Sequence, residues 1–293
     1  MQKFSLDSIG THLTLSIDTP HLCGELFSSI EKRLVHFENK FSRFKAENWL
    51  DELNHRREGT LDDDAKFMLT YALDVSKRTG GYFDPTVGKR LSELGYGAIM
   101  NHSQSVIHKG KHNDYREIEI IGDIVQLHGD ILLEFGGVGK GYLIDVIKEM
   151  IDEYYYSKSI PLPRYLIDFG GDLYGYGGWK VGLENPHVLE EIIGVLLLDD
   201  IFLACSSGSK RKWGNNHHLI DPKTGESATD VIASFIEGPS GISTDAYATS
   251  FCVMPYEESC ELLREIPFLE GVILASDGRY FRSSGSKSEI FTA

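Results

Sequence analysis

The sequence has few cysteines, and their spacing does not suit a disulfide or zinc framework. Among its 293 residues there are four cysteines and no CxxC pair. At least three of the four lie in strongly apolar segments, where a free cysteine behaves as a small core residue. We therefore expect neither structural disulfides nor a cysteine-bound metal at Cys23, Cys205, Cys252 and Cys260.

Positive charge is also scarce. The chain carries 29 Lys and Arg residues against 44 Asp and Glu residues, for a formal net charge of −15. A charge of this sign opposes extended contact with a nucleic-acid backbone or an anionic membrane. One small phosphorylated ligand remains compatible with it, provided that a lysine, a helix N-terminus or a divalent cation offsets the charge locally.

Long apolar runs and linkers are missing as well. No stretch is long and apolar enough to span a membrane, and the first residues contain neither a signal-peptide core nor a cysteine for lipid attachment. We therefore expect a cytoplasmic protein. No segment rich in Pro, Gly and Ser divides the chain and no repeat appears, so a single domain over residues 1–293 is predicted.

The order of hydrophobic patterns predicts an α+β fold with mixed or antiparallel sheets and packed helices. Strands are predicted at HLTLSI, at WKVGLENP, EEIIGVLLLDD, IFLAC and VIASFIEG, in IEIIGDIVQLHG as two short strands with a turn, and in a closing hairpin GVILASDGRYFRSS. Residues 131–137, ILLEFGG, and residues 165–171, YLIDFGG, are nearly the same sequence, so two similar strand ends are expected to lie side by side. Helical spacing predicts helices over 22–41, from about 62 to a stop at Gly80-Gly81, and in YLIDVIKEMI, ISTDAYATSFCVM and YEESCELLREI. A passage rich in Gly, Ser and His around residues 95–114 is predicted to be an exposed loop.

The segment LLEFGGVGKG at residues 132–141 combines an apolar run, paired glycines and a lysine before a helix. Unpaired N–H groups at such a helix start attract anions, which favours a phosphate. Two familiar phosphate loops fail on spacing, because Glu134 and Gly141 stand where a Walker loop needs Gly and Ser or Thr, and the alternating glycines do not match a dinucleotide fingerprint. The alternative is a glycine-rich turn with a purely structural role.

Three further segments contain residues suited to chemistry, each with a structural alternative. In YFDPTVG, Asp84 precedes a proline and could simply form a turn. In HHLIDPKTG, two adjacent histidines precede a predicted strand, so that one ring could face a site. In STDAYATSF, Ser243 or Thr244 could cap a helix, while Asp245 and Thr249 could present oxygen ligands to Mg²⁺ or Ca²⁺. Spacing alone does not decide between these alternatives.

The chain contains, in order, the segments FSRF, DELN, YFDPTVG, FGGVGKGYLID, LIDFGGD, VGLENP, SSG, HHLIDPKTG and STDAYAT. This combination resembles the ApbE family of FAD:protein FMN transferases, formerly described as thiamine-biosynthesis lipoproteins. The resemblance extends from about residue 9 to residue 254.

The resemblance implies a T-fold-like α+β protein with an FAD-binding cleft between lobes. It also implies a reaction that cleaves FAD, attaches FMN through a phosphoester to a Ser or Thr of an acceptor protein, and releases AMP. The implied metal ligands are the Gly137 carbonyl, the Asp245 carboxylate and the Thr249 hydroxyl, with Mg²⁺ as the default ion and Ca²⁺ as the alternative. The implied flavin-nucleotide contacts are Phe44, Tyr82, Phe83, Asp84, Glu134, Lys140, Leu219 and Ala248.

The implied chemistry is consistent with these residue types. A divalent ion would stabilise charge on the phosphoryl oxygens, with Asp245 as the catalytic carboxylate. We predict His218 to be the base that accepts the hydroxyl proton, because an imidazole ordinarily titrates near neutral pH. Two alternatives use the same residues: an FAD pyrophosphatase that gives FMN and AMP, and an inert flavin-binding protein.

The sequence departs from the family pattern at several positions. Glu134 stands where Asp is usual, Gly139 where Ala is common, and Phe44 where Tyr is frequent. Ser209 and Lys210 replace a polar residue and a tyrosine. These changes bear on how the substrate lies in the site more than on the fold. The expected partners are FAD and a cytoplasmic acceptor protein with an exposed Ser or Thr, without nucleic acid or a membrane span.

Overall fold

A computed structural model describes residues 1–96, 114–188 and 190–291. The loop predicted around residues 95–114 lies, apart from its ends, outside the described residues. Within them, no helix is long and apolar enough to cross a membrane.

The fold centres on an eight-stranded sheet in which every neighbouring pair is antiparallel. Its strands, given in spatial order, are Gln2–Ser8 (β1), Thr11–Ile17 (β2), Tyr165–Phe169 (β6), Asp172–Tyr176 (β7), Ile201–Ser207 (β10), Val231–Gly238 (β13), Glu270–Ala275 (β14) and Tyr280–Arg282 (β15). Tight glycine turns and short connections join several of these strands, and antiparallel pairing allows such hairpins.

Three smaller sheets complete the strand inventory of the described residues. One contains Glu58–Thr60 (β3), Ile118–Ile121 (β4) and Ile124–Leu127 (β5), and a second contains Trp179–Glu184 (β8), Ile192–Leu198 (β9) and Glu289–Ile290 (β16). The third is the two-stranded ribbon of Lys212–Trp213 (β11) and Asn216–His217 (β12). The mixture confirms the predicted α+β class.

Seven α-helices occur in the described part of the chain. They are Gly24–Phe41 (α1), Trp49–Arg56 (α2), Asp63–Arg78 (α3), Gly88–Glu93 (α4), Gly139–Ser157 (α5), Gly241–Val253 (α6) and Tyr256–Glu265 (α7), with a short 3₁₀ turn at Tyr115–Glu117. The amphipathic helix α1 buries Leu26, Ile30 and Leu34, as its spacing predicts. Helix α6 is buried on all sides, with every residue except Thr249 buried, so it forms the centre of the core.

Two strand predictions are wrong. Residues 131–135 make only an isolated bridge between Leu132 and Val87, and they do not lie beside β6, although the two sequences are similar. Side chains take up the backbone groups that a sheet would pair: Asn54 bonds both the N–H and the carbonyl of Leu133, and Arg57 donates to the Ile131 carbonyl. The segment after His218 likewise forms only one bridge, between Ile220 and Ser227.

The predicted cap of α6 is also wrong. The helix begins three to four residues earlier than a Ser243 or Thr244 cap requires, and its N-cap Ser240 makes no side-chain cap bond. The free N–H groups of Gly241 and Ile242 instead donate to the two carboxylate oxygens of Asp145 on α5, at 2.7 and 2.8 Å. A carboxylate from a neighbouring helix therefore serves as the cap.

Candidate active site

A cleft with a volume of about 220 Å³ opens beside the start of α5. Its walls come from the end of α1, the loop after α3, the glycine turn before α5, strand β10 and the residues after β12. Of the predicted site residues, Phe44, Tyr82, Phe83, Asp84, Glu134, Gly137, Lys140, His218, Leu219 and Thr249 line this cleft. The fold therefore gathers segments separated by some 200 positions in the sequence into one concave site.

Lys140 lies between two buried carboxylates at the inner end of the cleft. Its Nζ is 2.8 Å from Oδ1 of Asp245 and 2.7 Å from Oδ2 of Asp172. Burial alone would lower the pKa of Lys140, but the charges of Asp172 and then Asp245 outweigh it and raise the pKa above its ordinary value. The lysine is therefore a fixed ammonium group.

Asp245 contacts the start of α5 as well as Lys140. Its Oδ2 accepts the N–H of Gly141 at 2.9 Å, and the side chain is 1% exposed. Burial raises the pKa of Asp245 to about 6, a shift that Lys140 opposes and Asp172 reinforces. Because Asp245 lies behind Lys140, it does not itself line the cleft.

Close approach of two helix starts brings Asp245 to this place. A Cβ on Gly141 would lie 2.1 Å from the carbonyl oxygen of Gly241 and 2.7 Å from Cβ of Asp245, and a Cβ on Gly241 would lie 2.3 Å from the carbonyl oxygen of Gly141. All three distances are far shorter than a van der Waals contact. The glycines therefore allow α5 and α6 to touch where the site carboxylate is presented.

Hydroxyl groups lie near the same point. Thr249 is one turn after Asp245 on α6, and its Oγ1 is 3.4 Å from Oγ of Ser206 on β10. A Cβ on Gly137 would lie 3.5 Å from Cγ2 of Thr249, so the predicted glycine and threonine are neighbours. Carboxylate, hydroxyl and carbonyl oxygens suit Mg²⁺ or Ca²⁺, and the two carboxylates exceed the single ammonium by one negative charge. The residues present therefore fit a hard cation.

The described residues contain no group of three or more His, Cys, Asp and Glu side chains placed to hold a metal. A site of this composition would therefore differ from histidine- and cysteine-rich metal centres. It would depend on one or two carboxylates, completed by hydroxyl and backbone oxygens and by the substrate.

His218 lines the cleft beside an aromatic wall. Its ring lies 6.4 Å from that of Tyr96, which stacks on Trp213 at 4.9 Å, and Phe44 packs edge-on against Tyr96 at 6.0 Å. The expectation that this histidine titrates near neutral pH is wrong for the free protein. Burial, followed by the nearby Arg211 and His217 and the more weakly acting Lys140, lowers the pKa of His218 to about 3. The imidazole is therefore neutral, and its buried Nδ1 contacts no hydrogen-bond partner among the described residues.

Two of the predicted nucleotide contacts also have local structural roles. Asp84 accepts the N–H and the hydroxyl of Thr86 at 2.8 and 2.7 Å, so it makes the turn that the Asp-Pro pair suggested. Burial nevertheless raises the pKa of Asp84 to about 6. Glu134 accepts the N–H of Gly136 at 2.9 Å and closes the glycine turn. Both residues also line the cleft.

Ala248 is not brought to the cleft with the other predicted residues. It is fully buried in α6, and its carbonyl accepts the hydroxyl of Ser234 on β13 at 2.7 Å. Ala248 is therefore not part of the cleft wall. Its role here is to pack α6 against the sheet.

Four polar residues of this site are not among the predicted site residues. Asp172 holds Lys140, Ser206 bonds Thr249, and Lys210 and Arg211 line the cleft as additional cations. Asp172 ends the segment LIDFGGD, whose likeness to the first glycine motif was a signal that this turn also belongs to the site. Nothing in the spacing shows that its partner is Lys140, since that pairing is created by tertiary packing.

The comparisons with known proteins agree with the sequence resemblance. A sequence model of the ApbE family matches residues 9–273. The chain is 28% identical over 249 residues to a FAD:protein FMN transferase of Treponema pallidum, covering 74% of this chain and 67% of that protein. It is 23% identical over 266 residues to a FAD:protein FMN transferase of Salmonella typhimurium, covering 82% of this chain and 74% of the relative.

Solved structures show the same fold at lower sequence identity. The crystal structure of the ApbE protein of Thermotoga maritima matches with a TM-score of 0.85 at 20% identity, covering 97% of both chains. The flavin transferase ApbE of Vibrio cholerae matches with a TM-score of 0.80 at 18% identity, again over 97% of both chains.

Proposed function

Because the chain belongs to the ApbE family, we propose that it is an FAD:protein FMN transferase that moves FMN from FAD to a Ser or Thr of an acceptor protein and releases AMP. The observation that carries the proposal is the arrangement of Lys140 between Asp172 and Asp245 at the inner end of a cleft. A fixed ammonium beside oxygen ligands is suited to a pyrophosphate. In an ordinary core the desolvation cost of such a charge would bring no functional gain.

The charge distribution of the cleft supports an anionic substrate. Although the whole chain carries a net charge of −15, four cations line the cleft against three acidic residues. The cations are Arg43, Lys140, Lys210 and Arg211, and the acids are Asp84, Glu134 and Glu184. Of these acids, Glu134 accepts a backbone N–H and Glu184 pairs with Lys210. Since Asp172 and Asp245 balance Lys140, the charge of a diphosphate would be offset by Arg43 and Arg211 together with the cation that Asp245 would bind.

The aromatic wall offers a place for the flavin rings. Phe44 and Tyr96 face the cleft, and the guanidinium carbon of Arg43 lies 5.5 and 5.7 Å from their ring centroids. Planar heteroaromatic rings gain from such surfaces through stacking and apolar burial. We therefore place the isoalloxazine against this wall and the pyrophosphate near Lys140.

In the proposed reaction, the acceptor hydroxyl oxygen forms a bond to the flavin-side phosphorus of FAD. The bond from that phosphorus to the bridging oxygen breaks, AMP leaves with the bridging oxygen, and the hydroxyl proton is removed. The Lys140 ammonium offsets negative charge on the phosphoryl oxygens throughout. The sheltered position of Lys140 strengthens this effect, because charges interact more strongly away from water.

Asp245, Thr249 and the Gly137 carbonyl would hold a divalent cation, Mg²⁺ by default and Ca²⁺ as the alternative. When bound, the cation would supply further neutralisation of the pyrophosphate and the departing AMP. Thr249 and Gly137 line the cleft, and Asp245 adjoins it through Lys140, so these residues would meet the ion at one end of the substrate site.

His218 is our candidate for the residue that takes the hydroxyl proton. In the free protein its imidazole is neutral and therefore able to accept a proton, but the lowered pKa makes it a weak base. An anionic phosphate beside the ring would favour the imidazolium form and raise that pKa. If His218 has this role, the transfer rate falls in His218→Ala while FAD affinity changes little, and an unchanged rate would remove the assignment.

Intact-protein mass spectrometry of an acceptor domain tests the reaction. The purified protein is incubated with FAD, Mg²⁺ and a Ser- or Thr-containing acceptor domain, and released AMP is assayed in parallel. We expect the acceptor to gain the mass of FMN less water. The gain should disappear in Asp245→Asn, and it should persist in the matched control Asp145→Asn.

Other outcomes would redirect the proposal. Release of AMP and free FMN with no change in acceptor mass, repeated across several acceptors, would indicate an FAD pyrophosphatase. FAD that binds but stays intact in the presence of Mg²⁺ and acceptor would indicate an inert flavin-binding protein.

A further inference from the structure

Asp172 is a buried carboxylate whose role in the site is not explained by the residues discussed so far. It is the first residue of β7, and its side chain is 4% exposed. Its Oδ1 accepts the N–H of Cys205 on the adjacent strand β10 at 3.0 Å, while its Oδ2 faces the Lys140 ammonium at 2.7 Å. One oxygen is thus anchored to the sheet and the other is directed at the site.

The same ammonium also pairs with Asp245, the carboxylate that we propose as a ligand of the cation. Lys140 is 2.8 Å from Asp245, so a divalent ion bound to Asp245 would meet the lysine charge at close range. Two like charges at such a distance repel strongly in a buried place. The lysine must therefore lose its contact with Asp245, and it needs another anion to remain buried.

We propose that Asp172 is a positioning residue that retains the Lys140 ammonium when Asp245 takes the cation. This inference rests on the proposed metal-dependent function. When the cation binds, Asp245 loses its contact with Lys140 and coordinates the cation, whereas Asp172 keeps its contact with Lys140. Lys140 consequently stays beside the pyrophosphate and leaves Asp245 free for the cation.

Two other roles for Asp172 make different predictions. If Asp172 only held β7 against β10, replacing it would lower stability without altering metal affinity in a Lys140-dependent way. If Asp172 bound the cation directly, its loss would weaken metal binding whether or not Lys140 is present. Only the proposed role makes the effect of Asp172 depend on Lys140, which a double-mutant cycle measures.

The experiment measures Mn²⁺ binding by electron paramagnetic resonance of the free ion, with no FAD or acceptor present. The proteins are wild type, Asp172→Asn, Lys140→Gln and the double variant. Asparagine keeps an oxygen for the Cys205 N–H and removes the charge that holds Lys140. In Asp172→Asn we expect the Mn²⁺ dissociation constant to rise about 10-fold, because Lys140 then pairs with Asp245 alone and competes with the ion.

In the Lys140→Gln background we expect Asp172→Asn to change the dissociation constant less than about twofold, since no ammonium remains to be retained. An equally large effect in both backgrounds, or none in either, would overturn the inference. If wild type does not bind Mn²⁺ at all, the metal-dependent function fails first and the role of Asp172 with it.

Asp168→Asn serves as the matched control. Asp168 lies on the other side of the same Gly170-Gly171 turn and accepts the Gly171 N–H at 3.1 Å. It makes no ion pair with Lys140. Mn²⁺ affinity in this variant should equal that of wild type, and a 10-fold loss there would show that the turn matters and the Lys140 pair does not. If Asp172→Asn is too unstable to measure, Asp172→Glu keeps the charge and should bind Mn²⁺ more tightly than Asp172→Ser.

Discussion

The starts of α5 and α6 resemble each other closely, yet only one of them carries the chemistry of the site. Each has a glycine followed four residues later by an aspartate: Gly141 and Asp145 on α5, Gly241 and Asp245 on α6. The two glycines touch, and each aspartate accepts N–H groups at the start of the other helix. Burial raises the pKa of both carboxyls to about 6.

The two aspartates differ in the groups that their carboxylate oxygens contact. Asp145 has both oxygens occupied by the amides of Gly241 and Ile242, whereas Asp245 shares one oxygen with Gly141 and directs the other at Lys140. Asp145 therefore caps the start of α6. Asp245 instead contacts Lys140, which lines the cleft. A buried carboxylate on a helix start therefore becomes a functional candidate through its second partner, and not through burial or its pKa alone.

Replacement of Asp245 is expected to have the largest effect on the transfer rate. Asp245→Asn should lower the transfer rate by at least about 100-fold, because it removes the charge expected to bind the cation and to balance Lys140. Asp145→Asn should keep the rate within about threefold while lowering the free energy of unfolding by roughly 1–3 kcal/mol, since an amide nitrogen would face one of the helix N–H groups.

Rates measured by AMP release on folded protein, together with denaturant unfolding, separate the two variants. Equal losses of rate in Asp145→Asn and Asp245→Asn would contradict the functional difference between the helix starts. Such a result would indicate that the packing of α5 against α6 as a whole, and not the Asp245–Lys140 pair, supports the reaction.

Local patterns in the sequence were enough to predict the main elements but not the contact between the starts of α5 and α6. The helical spacing of apolar residues in α1 predicts that helix, and the segment ISTDAYATSFCVM predicts a buried helix at α6. The cap of α6 comes from Asp145, which is 96 positions away from Gly241, so no nearby residue reveals it. Residues 131–135 appear strand-like, but Asn54 and Arg57 satisfy their backbone groups.

The site shows the same limit. Through the family resemblance, residue types and their order pointed to ten residues that line the cleft. The ionisation of His218 depends on its burial, and the pairing of Asp172 with Lys140 depends on strand order, so neither could be predicted locally. Long-range packing determines the electrostatics of the site, whereas local patterns determine the elements.

The next largest effect concerns the contact between the helices. In Gly141→Ala the new Cβ would meet backbone and the Asp245 Cβ, neither of which can move without shifting a helix. We expect a loss of at least about 1–3 kcal/mol in the free energy of unfolding, with loss of transfer activity as Asp245 moves. Denaturant unfolding and the rate of AMP release in the transfer assay measure the two effects, and a variant as stable and active as wild type would show that the helices are not in contact.

A smaller effect concerns the dependence of stability on pH. The pKa of Asp145 lies at about 6 in the folded protein, against 3.8 for an ordinary aspartate. Between these values the folded state binds more protons than the unfolded state, so stability falls as pH rises through this window. Asp145→Asn removes this contribution, which amounts to at most about 1.4 kcal/mol per pH unit. Unfolding free energies measured from about pH 4 to pH 7 should decline less steeply in the variant, and parallel curves would refute the shift.

The smallest effect comes from a glycine two residues from the helix contact. A Cβ on Gly139 would lie 3.4 Å from the edge of the Phe37 ring, an ordinary contact, and alanine is common at this position in the family that the sequence resembles. Because alanine favours a helix over glycine, Gly139→Ala should raise the free energy of unfolding by about 0.5 kcal/mol and leave the transfer rate unchanged. A loss as large as that of Gly141→Ala would mean that the whole glycine turn is packed to its limit. The difference between the two variants therefore measures how sharply the need for glycine is confined to the point where α5 meets α6.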